Sequence, residues 1–119
     1  MSRFDRRIRP AVLAELAAAR LAEQQGRAAQ AFEALERAHV LGQMSTVIHV
    51  RVHGAMLRWA LRQRRAREAA GQMLRIAAAA TKTALGCVPQ GNTGGTSVSA
   101  FRRMRIPPEL QRQIDAARK

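Results

Sequence analysis

Between residues 10 and 81, small apolar side chains return every third or fourth position, with breaks near Gly26, Gly42 and the pair Arg64 and Arg65. That spacing is the period of a helix face, and it directs the chain to an all-α fold. Val12, Leu13, Leu16, Ala17 and Leu21 mark a first helix over about 10–25, with Pro10 as a first-turn residue. Ala28, Ala31, Phe32, Leu35 and Ala38 mark a second over 27–41, stopped at Gly42. Ser45 or Thr46 offers the N-cap of a third, which carries Val50, His53, Ala55, Met56, Trp59 and Ala60 to about residue 63. A fourth spans about 66–81, with Ala69, Ala70, Met73, Ile76 and Ala77 as its apolar positions.

The core must be built from small aliphatic groups, because tyrosine is absent and the aromatic residues are Trp59 and three phenylalanines. Close-packed antiparallel helical hairpins suit that palette. The two hairpins read as one unit repeated after 38 residues: Ala17 falls on Ala55, Arg20 on Arg58, Leu21 on Trp59, Ala31 on Ala69 and Leu35 on Met73. This alternation of small and large residues resembles a tetratricopeptide-type helix pair. Two such units leave open ends, which the C-terminal segment or a second subunit, in a homodimer, has to cover.

The 119 residues fit a single domain: a helical bundle over about 10–81, a loop or strap over about 82–107, and a short helix over about 108–117. Glycines 86, 91, 94 and 95, with Pro89 and Asn92, exclude regular helix from the strap, and Val98, Phe101, Met104 and Ile106 are its candidates for pinning onto the bundle. Pro107 and Pro108 then start the last helix, through Leu110 and Ile114.

All three histidines fall within residues 39–53. His49 and His53, four apart on a helix, place their rings on one face. His39 and His49 lie symmetrically about the turn between the second and third helices, so a hairpin brings them opposite each other. Glu36, one turn before His39, is level with His53. The set His39, His49, His53 and Glu36 is therefore a three-nitrogen, one-oxygen cage suited to Zn²⁺, and also to Cu²⁺, Ni²⁺ or Fe²⁺. The positive end of the third helix keeps His49 neutral, and Glu33 is a candidate acceptor behind the ligands. The structural alternative has His39 at a helix end, His53 in a helical interface and His49 in solvent. Without a recognisable substrate pocket, the metal reading is non-enzymatic.

The net charge of +13 suggests a second class of function, an anionic partner. Arg51, Arg58, Arg62 and Arg65 form a stripe able to follow a nucleic-acid backbone or an acidic protein, with Trp59 or Phe101 available to stack a base. The stretch "GNTGGTS" lacks the Lys-Ser/Thr ending of a phosphate-binding loop. Cys87, the single cysteine, excludes an internal disulfide and fits a reducing, cytoplasmic setting; Lys82 is near enough in sequence to lower its pKa. Glu15 and Arg20 interrupt what would be a signal-peptide core, and no apolar run reaches the roughly 18 residues of a membrane span.

The segments "ALERAHVLGQ", "HVRVHGAMLRWALR", "GQMLR", "GNTG", "VSAF" and "IPPEL" resemble an uncharacterised family of short bacterial proteins, a domain of unknown function. The resemblance spans most of residues 31–110. It implies that the histidine segment and the glycine-rich strap belong to one recurring unit, and it implies no reaction, cofactor or partner.

Overall fold

The computed structural model describes residues 1–84, 88–99 and 101–119. The described residues form five helices and no strand: α1 Arg3–Gln24, α2 Ala28–Gly42, α3 Thr46–Arg62, α4 Ala66–Ala84 and α5 Pro108–Arg118. α1 pairs with α2 and α3 with α4, while α5 lies against α1 and α2.

α1 begins seven residues before the position that Pro10 suggests. Ser2 and Asp5 close a capping box, in which Asp5 N–H donates to Ser2 Oγ (3.0 Å) and Ser2 N–H to Asp5 Oδ2 (2.7 Å). Pro10 is thus inside the helix rather than at its start, on an exposed face where the lost backbone donor is not a buried deficit. The extension adds Ile8 to the core beside Val12 and Ala19. Ser45 caps α3 through Ile48 N–H, as the sequence indicates, and Arg64 makes the α3–α4 turn in the left-handed region (φ 55°). Gly42 is the last residue of α2, and Ile48 occupies the space where its Cβ would stand.

Trp59 joins the two hairpins. Its Nε1–H donates to Ala28 O (3.0 Å), and its ring centre lies 4.5 Å from that of Phe32. The buried stripe of α4 is rotated from the expected one: Ala69, Gln72 and Ala79 face inward, whereas Met73 is 63 % exposed. The repeat pairs consequently differ in environment, with Leu35 and Trp59 buried and their counterparts Met73 and Leu21 exposed.

The C-terminal segment supplies cover, but through other residues than Phe101, which is 76 % exposed. Leu110, Ile114 and Ala117 of α5 are buried, and Val98, Met104 and Ile106 are half-buried. The strap is held from α4. Arg75 donates to the carbonyls of Gly94 (2.9 Å), Gly95 (2.7 Å) and Val98 (2.6 Å), and Glu68 accepts from Thr96 N–H and Oγ1–H. The proposed pairing of Lys82 with Cys87 lies outside the described residues.

Candidate metal centre

The α2–α3 turn and the four-residue spacing on α3 bring the three imidazoles together. His39, His49 and His53 are all buried, at 3–4 % exposure. Their Nε2 atoms form a triangle with sides of 2.8 Å (39–49), 3.1 Å (39–53) and 3.2 Å (49–53). The exposed position expected of His49 in the structural alternative is therefore not what the fold provides.

The groups behind the rings decide what those nitrogens carry. His39 Nδ1 lies 2.6 Å from Asn92 O, which can only accept, so Nδ1 bears the proton. Burial, followed by the neighbouring His53 and His49, holds the His39 pKa well below the usual histidine range. The ring is neutral and its Nε2 presents a lone pair.

His53 Nδ1 lies 2.6 Å from Gln72 Oε1, whose orientation is set by Gln72 Nε2 donating to Glu68 Oε1 and Gly94 O (3.0 Å each). His53 is thereby assigned the same tautomer in its neutral form. Two lone pairs then face each other across 3.1 Å with no proton of their own between them. A cation bonded to both relieves that repulsion, and buried imidazoles held by acceptors behind them, as His39 and His53 are, suit a borderline metal ion. Tetrahedral zinc with bonds of 2.0–2.1 Å sets its nitrogens about 3.3 Å apart, close to the triangle observed.

Gly94 completes the wall behind His39. With φ at +86° and His39 Cδ2 only 2.6 Å from where a Cβ would stand, position 94 has room for no side chain. A cavity of about 10 Å³ borders all three imidazoles and is also lined by Gln43, Arg75 and Asn92. The chain belongs to the family described as "Protein of unknown function (DUF3703)". The family model matches residues 6–114, which include every residue of this cluster and of the strap behind it. No curated protein and no solved structure matches this DUF3703 member.

Glu36 is not in the histidine group, whose ligand atoms lie within 4.8 Å of one another. It is half-buried; burial raises its pKa, and its carboxyl takes a hydrogen bond from Thr93 of the strap. Glu36 stays one turn from His39 on α2, and it is the strap that engages its carboxyl. Glu33 is exposed, and the acceptors behind His39 and His53 are Asn92 O and Gln72 Oε1.

Gln72 is hidden from a sequence reading because the buried stripe of α4 is rotated from the one its apolar residues mark. Asn92 is hidden because it acts on His39 through its backbone carbonyl. Of the arginine stripe, Arg51, Arg58 and Arg62 line one cleft of about 470 Å³ together with Arg20, and Arg62 is paired with Glu23 at 2.6 Å. Arg65 lies elsewhere, its guanidinium 5.7 Å from the Trp59 ring centre.

Proposed function

We propose that this DUF3703 chain is a non-enzymatic metal-binding protein whose ligands are Nε2 of His39, His49 and His53. Zn²⁺ is the first candidate, with Cu²⁺, Ni²⁺ and Fe²⁺ as the other ions that imidazole suits. The observation that carries this reading is the opposition of the His39 and His53 lone pairs, each ring held in that tautomer by a separate acceptor. The metal would supply the positive charge that the cluster lacks. The protein supplies burial, tautomer control and a preformed triangle, features suited to a site that holds or hands on an ion.

Metal analysis of tag-free protein purified without chelator tests this reading directly, beside a His49→Ala, His53→Ala double variant. One ion per chain in the first and none in the second is the expected result. Two empty proteins, with melting temperatures indifferent to added Zn²⁺, Cu²⁺ and Ni²⁺, would overturn it.

A second reading rests on the cleft between α1 and α3, where Arg20, Arg51, Arg58 and Arg62 surround an apolar floor that includes Leu16 and Leu35. Such a cleft suits an anionic partner. Its binding to nucleic acid would weaken steeply with salt and would be unaffected by the histidine substitutions.

A further inference from the structure

Gln43, at the C-terminal end of α2, is 2 % exposed. Its Nε2 donates to Pro89 O (2.9 Å), which fixes the amide orientation and leaves Oε1 as an acceptor. Among the described residues, that oxygen is the buried side-chain polar atom without a hydrogen-bond partner. Buried amide oxygens are rarely left unpaired, so this one calls for a specific donor.

Gln43 lines the same small cavity as the three imidazoles. The volume of about 10 Å³ is that of a single water-sized guest. The other polar groups on its wall are committed: Arg75 to strap carbonyls, and the Asn92 side chain to Ser99 O (2.8 Å), Arg102 O (2.7 Å) and Gly94 N–H (2.9 Å). Ala79 and Pro89 add apolar surface. Three histidine ligands leave a tetrahedral ion one open position, and this cavity is where a fourth ligand fits.

We propose that the fourth position holds a water molecule that donates a hydrogen bond to Gln43 Oε1, so that the centre favours a neutral, proton-bearing ligand over an anion. The inference rests on the metal reading above and adds a selectivity to it. An amide oxygen that takes its hydrogen bond from the ligand at the open position would favour a ligand O–H or N–H and disfavour a ligand that offers only lone pairs. Gln43 acts on the metal through that ligand, as a positioning residue.

The test uses the full chain loaded with Co²⁺, whose visible absorption reports its ligands, titrated with azide. The wild type takes one Co²⁺ and binds azide weakly. Gln43→Leu keeps the Co²⁺ stoichiometry and binds azide about tenfold more tightly, the worth of one lost hydrogen bond to water. Gln43→Glu, carrying a negative charge, binds azide more weakly than the wild type. Both variants lose the bond to Pro89 O, so a purely structural role would move them in the same direction. Equal azide affinities, or shifts of the same sign, would overturn the proposal while leaving the metal reading standing. Failure of the wild type to take up Co²⁺ would overturn both, and Gln43→Met, which also removes the amide oxygen, takes the place of the leucine variant should that one not fold.

Discussion

His53 and Gln72 are joined across the α3–α4 interface by a 2.6 Å hydrogen bond from imidazole Nδ1 to the amide Oε1. Gln72 is fully buried, and its Nε2 reaches both Glu68 and the strap carbonyl of Gly94. One side chain therefore sets the tautomer of His53 and anchors the strap. Gln72→Leu is expected to weaken metal binding by about 10–100-fold, as loss of an orienting partner behind a metal ligand generally does. Competition against a chromophoric chelator measures it.

Gly94→Ala is expected to destabilise the protein by about 2–4 kcal/mol, combining a left-handed backbone with overpacking. The added methyl would press on the His39 ring at Cδ2 and Cγ, so metal affinity falls together with the denaturation midpoint. A normal affinity in the alanine variant would mean that the strap can withdraw without disturbing the ligand.

The metal-free protein should lose stability as the pH falls below about 6.5. In the unfolded chain His39 takes up a proton near that pH, whereas in the fold its pKa lies well below the usual range because the ring is buried beside two other imidazoles. The unfolded state then binds more protons, and stability drops by about 1.4 kcal/mol per pH unit until the folded pKa is reached. Above the histidine range this contribution is flat. Urea melts between pH 7.5 and 5.5 check the slope, which His39→Gln should reduce.

Pro10→Ala is expected to raise stability by about 1–3 kcal/mol. Pro10 lies inside α1 on an exposed face, where it withholds a helical hydrogen bond and gains no cap in return. Thermal unfolding of the two proteins, both free of metal, reports the difference.

Pro10 also illustrates what the sequence conceals. The helical period, the breaks at Gly26 and Gly42, and the Ser45 cap are local signals, and the structure places α2, α3 and their turn where those signals indicate. Ser2 and Asp5 are an equally local signal, but a proline eight residues later suggests a helix start more strongly than a capping pair does. The three histidines were legible because a four-residue step and a short turn fully determine their meeting. Their supporting groups were not. Asn92 lies 53 residues from His39, Gln72 lies 19 from His53 and Pro89 lies 46 from Gln43, distances over which no helical or strand period carries information. Glu36 reads as a fourth ligand for the same reason, since the strap threonine that engages it is visible only after the chain has folded.

The dependence of His39 on the carbonyl of Asn92 makes the strap a latch on the cluster. A strap lifted from the bundle would leave the three imidazoles in place on α2 and α3 and remove the acceptor that fixes one tautomer, so under the metal reading affinity and strap docking would rise and fall together.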